Sequence, residues 1–184
     1  RRIIHYSGTR MSYNMTDETL ERALRNIRRI ISHHPEQKGI IHVSSFEWAR
    51  RIAQGCSDFG ERFILASKGK TGDAAAEFKK AKGNKILIGP SFGTGYDFPD
   101  DELRWQIIAK VPFENLSDPM VLTRNEYSTD RHGKKGYYLK KNAINSLIQS
   151  FGRGLRHAGD WCTTYTTDDA VKGLMGYGLM HELI

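Results

Sequence analysis

The sequence has few cysteines and lacks any long apolar run. Its two cysteines, Cys56 and Cys162, are isolated and show no spacing typical of a metal site. This argues against a disulfide framework and against a zinc or iron–sulfur site within the segment, and it favours a reducing cytoplasm. No apolar run reaches about 18 residues, so no membrane partner is predicted. Internal repeats and low-complexity tracts are also missing, so neither a solenoid nor a disordered linker is expected.

Positive charge is what the sequence has in excess. Its 184 residues carry 28 lysines and arginines against 21 aspartates and glutamates, a net charge of +7. A basic surface favours polyanions, nucleic acid above all, through phosphate contacts and counterion release. The length fits one domain. Because the chain opens at Arg1-Arg2 without an initiator methionine, we expect residues 1–184 to be a single domain excerpted from a longer polypeptide.

Apolar periodicity predicts alternating helices and strands. Helices are predicted over residues 16–33, 46–54, 72–82 and 142–156, and strands over residues 39–43, 62–66, 85–88, 105–111 and 161–166. Residues 114–135 are the least periodic part, and we expect an irregular excursion with one helical piece there. This alternation favours an α/β fold with a mostly parallel, doubly wound sheet and helices on both faces. In such sheets, ligands bind beyond the carboxyl ends of the strands.

A glycine-rich loop follows the predicted strand 85–88 and reads Gly89-Pro90-Ser91-Phe92-Gly93-Thr94-Gly95-Tyr96-Asp97-Phe98-Pro99. The hydroxyls of Ser91 and Thr94 can donate hydrogen bonds to phosphate oxygens, and Asp97 can orient a neighbouring arginine or a nucleotide hydroxyl. Its glycines permit a close ligand or a positive φ. An ordinary turn is the alternative interpretation of this loop taken alone.

The predicted helix 142–156 combines an apolar face with a polar ridge. At helical spacing, Gln149, Arg153 and Arg156 fall within about 60° of one another and face away from the apolar stripe. Gly152 and Gly154 flank Arg153, and such small residues would let another backbone or a ligand approach closely. Paired guanidinium groups suit the spread charge of a phosphoryl-transfer transition state. A solvated basic face is the alternative.

Four segments, in this order, resemble motifs of the DinG/XPD branch of superfamily 2 helicases. Residues 40–45 are similar to motif IV, residues 91–99 to motif V, Val111-Pro112-Phe113 with Asp118-Pro119 to the segment that follows motif V, and Gln149-x-x-Gly152-Arg153-x-x-Arg156 to motif VI. The branch usually has glutamate where Thr94 stands, a bulky residue where Gly93 stands, and Asp-x-Gly where this chain has Asp160-Trp161-Cys162. These departures are typical of a divergent member, bacterial or encoded by a phage or prophage.

The resemblance implies a RecA-like second motor domain of an ATP-dependent DNA helicase, an NTP hydrolase. ATP with Mg²⁺ would be held mainly by a first RecA-like domain of the same protein, so the isolated domain is expected to be inactive. Arg156 would be the principal arginine finger, with Arg153 beside it and Gln149 at the γ-phosphate or the domain interface. Positions implied for ATP binding and coupling are Gly95, Asp97 and Gly152. Positions implied for single-stranded DNA are Ser44, Ser45, Lys68, Ser91 and Thr94.

Two other functions stay open, while Gly69-Lys70-Thr71 is not expected to be a phosphate-binding loop. Such a loop needs a glycine five positions earlier, where this chain has Ile64. The first alternative is a nucleic-acid-binding module without a role in hydrolysis, which predicts salt-sensitive binding of single-stranded DNA. The second is an unrelated doubly wound enzyme that uses residues 89–95 for phosphate, which predicts nucleotide or nucleotide-sugar affinity of this segment alone.

Overall fold

A six-stranded parallel sheet forms the centre of the protein. The computed structural model describes residues 2–12, 14–90, 92, 95–133 and 135–175. The strands are β1 (Arg2–His5), β2 (Gly39–His42), β3 (Phe63–Leu65), β4 (Ile86–Gly89), β5 (Trp105–Ile108) and β6 (Thr163–Thr166). They lie in the order β1-β6-β5-β2-β4-β3, and every neighbouring pair is parallel. The predicted parallel sheet is therefore confirmed.

Six α-helices and three 3₁₀ turns connect the described strands. The helices are α1 (Asp17–Ser32), α2 (Phe46–Gly55), α3 (Thr71–Lys80), α4 (Pro119–His132), α5 (Tyr137–Phe151) and α6 (Ala170–Met175), and the 3₁₀ turns are Ser57–Arg62, Asp100–Glu102 and Gly152–Gly154. The first three helices lie within two residues of their predicted bounds. α1 also begins as its sequence indicates, because the Thr16 hydroxyl accepts the N–H of Thr19 and two acidic residues occupy its first turn.

Apolar side chains on both faces of the sheet are covered by helices. On one face, Ile41 and Ile107 belong to a buried cluster that includes Ile27 of α1 and Ile52 of α2. The other face holds two clusters, one around Phe78 of α3 and one formed largely by α5 and α6. Fully burying a large aliphatic side chain contributes about 1.5–3 kcal/mol, so these clusters fix the layers against each other. The prediction of helices on both faces is confirmed.

Two helices differ from the sequence-based prediction. The prediction that residues 142–156 are helical is wrong at both ends, because α5 runs from Tyr137 to Phe151. Gly152 ends it, and the chain continues as a 3₁₀ turn whose following residue is extended. Residues 114–135 were expected to be an irregular excursion with one helical piece; α4 is that piece, and it occupies 14 residues. It begins with an Asp118 N-cap and ends at Gly133, whose φ is +63°.

Several short elements were missed or predicted too long. Strand β1 and helix α6 were not predicted, and both belong to the side of the sheet where β1 pairs with β6. The predicted strand 105–111 ends at Ile108, and the predicted strand 161–166 begins at Thr163. Within the described ranges, every helix is too short or too polar to cross a lipid bilayer.

Candidate functional site

A row of buried, hydrogen-bonded polar side chains lies beneath the end of α5. His42 at the end of β2 donates through Nε2 to Gln106 Oε1 at 3.0 Å, and Gln106 Nε2 donates to the Ser150 carbonyl at 3.0 Å and to Thr164 Oγ1 at 2.8 Å. Burial lowers the pKa of His42 to about 4; its bond to Gln106 opposes this, and the Arg153 charge adds to it. His42 is therefore neutral at pH 7, and the row ties the last turn of α5 to β2, β5 and β6.

Arg153 and Arg156 meet at one backbone carbonyl. Arg153 Nη1 donates to the Tyr96 oxygen at 2.8 Å, and Arg156 Nη2 donates to the same oxygen at 3.3 Å. The Arg156 guanidinium also pairs with the Asp97 carboxylate. Burial and then the neighbouring Arg156 lower the pKa of Arg153, and Asp97 partly offsets the shift. Two guanidinium groups thus converge on the loop between β4 and β5.

The Tyr96 carbonyl is held in place by an aromatic stack. The Tyr96 ring lies 5.4 Å from Phe92 and 6.3 Å from Phe98 between centroids, and both phenylalanines are fully buried on the α3 side of the sheet. Gly95 has φ +76°, in the left-handed region that favours glycine. The loop therefore turns sharply at Gly95 and lies along the sheet face, where it presents the Tyr96 carbonyl and the exposed Asp97 carboxylate to the arginines.

A buried ion pair holds the backbone of Arg156. Asp160 Oδ2 accepts the N–H of Arg156 at 3.1 Å and that of Asp100 at 3.4 Å, and Oδ1 accepts Arg104 Nη1 at 2.8 Å. Burial alone would raise the pKa of Asp160, but these hydrogen bonds, with a further one from Trp161 N–H, lower it. Sequence reasoning missed the positioning role of Arg104 and Asp160. The available signals were an arginine placed directly before a buried strand and the Asp160 that stands at the Asp-x-Gly position after motif VI.

Asp100, His157 and Asp160 form a cluster that does not fit a metal ion. Their ligand atoms lie within 4.8 Å of one another, and no other such group occurs among the described residues. Both Asp160 oxygens already accept two hydrogen bonds each, and the Arg104 guanidinium lies against this carboxylate. A cation in direct contact with the carboxylate disfavours a second positive ion there. These residues therefore hold the loop after Arg156 in place through their hydrogen bonds.

Gln149 and the two glycines that flank Arg153 have surroundings different from those of the arginines. Gln149 is exposed on α5, and its side chain makes no hydrogen bond within the part of the chain that the structure describes. A Cβ on Gly152 would meet nothing within 4 Å, whereas a Cβ on Gly154 would lie 2.4 Å from Cys162 Cβ. The expectation that both glycines admit another backbone or ligand is therefore wrong for Gly154, which packs against its own domain at the start of β6.

The residues expected to contact DNA follow two strands at the carboxyl edge of the sheet. Ser44 is exposed after β2, and Lys68 is exposed after β3. Ser45 Oγ accepts the N–H of Trp48 at 3.3 Å and so caps α2. Two further expected positions, Ser91 and Thr94, lie outside the described residues, as does Gly93.

The segment Gly69-Lys70-Thr71 is not part of a phosphate-binding loop. Ile64, which stands where such a loop needs its first glycine, lies inside β3 and is buried. Only residues 66–70 separate that strand from α3, and Lys70 caps the helix without a side-chain hydrogen bond. The described geometry agrees with the sequence-based interpretation of this tripeptide.

Comparison with known proteins identifies relatives among helicases. A family model described as the helicase C-terminal domain matches residues 27–176. The chain is 32% identical over 120 residues to 3'-5' exonuclease DinG of Bacillus subtilis, covering 62% of this chain and 13% of that protein. It is 23% identical over 168 residues to ATP-dependent DNA helicase chl-1 of Caenorhabditis elegans, covering 83% of this chain and 20% of that protein. The chain thus spans a fifth or less of these relatives.

A solved structure shows the same fold. The structure of an XPD helicase superposes with a TM-score of 0.74 at 17% identity, covering 99% of this chain and 34% of that one. This likeness, together with the parallel sheet covered on both faces, confirms an α/β fold of the RecA-like type. Since the family model covers well over half of the sequence, the chain belongs to the helicase C-terminal domain family, in the DinG/XPD-type branch of superfamily 2.

Proposed function

We propose that this chain is the second motor domain of an ATP-dependent DNA helicase. In this proposal Arg153 and Arg156 reach the phosphates of ATP bound to a first RecA-like domain of the same protein. The observation that carries it is the convergence of both guanidinium groups on the Tyr96 carbonyl. The name of the relative chl-1, an ATP-dependent DNA helicase, agrees with this reading of the site.

The electrostatics of the pair favour a phosphate partner. Two guanidinium groups that share one carbonyl oxygen repel each other, and the Asp97 carboxylate pairs with Arg156 beside them. Phosphate oxygens accept bidentate hydrogen bonds from guanidinium groups, so a triphosphate can bind both arginines at once. An arriving γ-phosphate would replace the Tyr96 and Asp97 contacts with charge-assisted hydrogen bonds to both guanidinium groups.

This exchange of partners links ATP to the loop after β4. Asp97 and the Tyr96 carbonyl hold the arginines, and the same loop begins at the carboxyl edge where DNA contacts are expected. When the arginines move to ATP, the two domains close; when hydrolysis removes the γ-phosphate, that attraction is lost and they open. The arginines stabilise negative charge on the transferring phosphoryl group, which acts on the transition state.

Mg²⁺ belongs to the other domain in this proposal. Arg104 contacts the one candidate cluster found among the described residues, so the proposed contribution of those residues is arginines rather than a metal ligand. Single-stranded DNA would lie along the carboxyl edge, where Ser44, Ser45 and Lys68 are expected to contact its phosphates together with Ser91 and Thr94. Gln149 and Gly152 would face the first domain, since both are open on the outer side of α5.

Arginine substitutions in the full-length protein test the catalytic assignment. Arg156→Ala is expected to lower DNA-stimulated ATP turnover by roughly 10³-fold or more, and Arg153→Ala to lower it as well. Binding of a fluorescent ATP analogue is expected to stay within about one order of magnitude, because the first domain holds most of the nucleotide. Arg50→Ala is the matched control, since Arg50 is also an exposed arginine in an ion pair, with Glu47. Equal turnover in Arg156→Ala and the parent would overturn the assignment.

The same measurements separate the two alternatives. A nucleic-acid-binding module without hydrolysis predicts salt-sensitive DNA binding and no change in ATPase for either arginine variant. An unrelated nucleotide-sugar or phosphate enzyme predicts that the isolated chain binds nucleotide or nucleotide sugar tightly in a calorimetric titration. The motor-domain proposal predicts weak nucleotide binding and negligible ATPase for the isolated chain.

A further inference from the structure

A cavity of about 370 Å³ opens where β1, β5 and β6 end. It lies apart from the arginine pair, and its lining includes Arg10, Phe113, Lys140, Asp169 and Leu174. Arg10 follows β1, Phe113 follows β5 and Asp169 follows β6, so the cavity lies at the carboxyl edge of the parallel sheet. Its volume is at the lower end of the range for small-molecule sites.

One buried carboxylate builds the walls of this cavity. Asp168 Oδ1 accepts the N–H of Met11 at 3.2 Å and that of Ala170 at 3.0 Å, and Oδ2 accepts the N–H of Val111 at 2.9 Å. The residue is 1% exposed. Asp168 therefore joins the loops that follow β1, β5 and β6 and fixes the relative positions of Arg10, Phe113 and the start of α6.

The cavity combines an aromatic ring with uncompensated positive charge. Phe113 is 42% exposed although it is a large apolar side chain. The Arg10 guanidinium is exposed, and it makes no ion pair or hydrogen bond with any described residue. The negative charge of Asp169 is already matched by Lys172 at 3.0 Å and is hydrogen-bonded by His5 at 2.9 Å. A flat aromatic ligand that carries phosphate fits this combination.

We propose that this cavity binds one nucleobase of single-stranded DNA, stacked on Phe113, with an adjacent phosphate at Arg10. The inference rests on the proposed function, which puts a single strand along this edge of the sheet. Lys68 follows β3, and the cavity lies at the end of β6. These two strands are four intervals of about 4.8 Å apart in the sheet, so Lys68 and the cavity lie about 19 Å apart along the carboxyl edge. A few nucleotides cover that distance, and the cavity would bind one end of the tract.

Abasic scanning of the DNA tests this site in the full-length protein. The probe is an oligodeoxythymidylate in which one nucleotide at a time lacks its base, and binding is measured by fluorescence anisotropy. For the parent, removing the base at one particular position is expected to raise the Kd by roughly 5- to 150-fold. Phe113→Leu is expected to raise the Kd for the intact strand by a similar factor, and its effect should vanish on the strand that lacks that base. Phe113→Trp should restore the parent's behaviour.

The control and the possible outcomes separate this site from the proposed function. Tyr127→Leu removes another exposed aromatic ring, on α4, and is expected to bind the intact strand like the parent. If the parent binds the strand tightly but Phe113→Leu weakens intact and abasic strands alike, or neither, the nucleobase site is refuted while the motor-domain proposal stands. If the parent itself binds no single-stranded DNA, the proposed function fails first.

Discussion

The fold strongly changes the acid–base chemistry of the buried His42 side chain. Its pKa falls from an ordinary 6.5 to about 4, chiefly because the ring is buried. In the unfolded chain the ring takes up a proton near pH 6.5, whereas in the folded protein it does so only near pH 4. The stability tied to His42 is therefore complete above pH 6.5 and is lost as the pH falls through the interval from 6.5 to 4.

Replacing His42 with glutamine should remove this pH dependence. Glutamine can still donate to Gln106 Oε1 but cannot be protonated. Between pH 6.5 and 4 the parent should lose about 3 kcal/mol of unfolding free energy relative to His42→Gln. Urea unfolding of both proteins across this pH interval measures the difference in unfolding free energy. The carboxylates are the same in both proteins, so their titration does not contribute to that difference. Parallel stability curves would contradict the assigned pKa.

At the residue scale, the sequence reveals side chains that act through a local pattern and conceals those that act through distant partners. Arg153 and Arg156 are recognisable because they lie in one short motif. The bond between His42 and Gln106, and that between Arg104 and Asp160, join residues 64 and 56 positions apart. Only the parallel pairing of β2, β5 and β6 brings these partners together, and no sequence period encodes it.

At the element scale, the two helices on either side of Gly133 show two limits of apolar periodicity as a guide to helix bounds. Apolar spacing continues to Leu155, and the helix predicted to residue 156 extends five residues beyond the true end of α5 at Phe151. No described residue of α4 is buried, so α4 offers no apolar period at all. Its ends are nevertheless written in the sequence, with an Asp118 cap, a proline in the first turn and Gly133 in the left-handed conformation. Capping residues identify this solvated helix better than periodicity does.

The two glycines beside Arg153 should respond differently to alanine. Gly154→Ala places a methyl group against Cys162, which is buried, and should lower the unfolding free energy by about 1–3 kcal/mol. Gly152→Ala meets open space at φ −75°, so it should leave stability unchanged or raise it by about 0.4–1 kcal/mol. Urea midpoints of the two variants test this contrast. Equal destabilisation by both substitutions would contradict the packing described for Gly154.

At the scale of the whole molecule, the parallel sheet separates the two surfaces that a motor domain needs. The arginine pair, which follows α5, contacts the loop between β4 and β5, and the carboxyl edge carries Ser44, Lys68 and the cavity beside Phe113. The loop that follows β4 at the carboxyl edge contains Tyr96, whose carbonyl accepts hydrogen bonds from both arginines, so one connection belongs to both surfaces. Under the proposed function, a single loop would therefore respond to both ATP and DNA.

The position of positive charge, rather than its total, should determine DNA affinity. Lys68 follows β3 at the carboxyl edge, whereas Lys82 is an equally exposed lysine that precedes β4 at the opposite edge. Lys68→Glu and Lys82→Glu change the net charge of +7 by the same amount, so each variant controls for the other.

Binding of an oligodeoxythymidylate to the full-length protein over a series of salt concentrations distinguishes the two contributions. If the strand lies along the carboxyl edge, Lys68→Glu should reduce the slope of log K against log salt by about one phosphate contact, and Lys82→Glu should leave the slope near the parent value. A purely nonspecific attraction would act through the total charge and lower both affinities equally. That second result would remove the carboxyl edge as the DNA path and, with it, the physical reason for connecting the strand to the loop that holds Arg153 and Arg156.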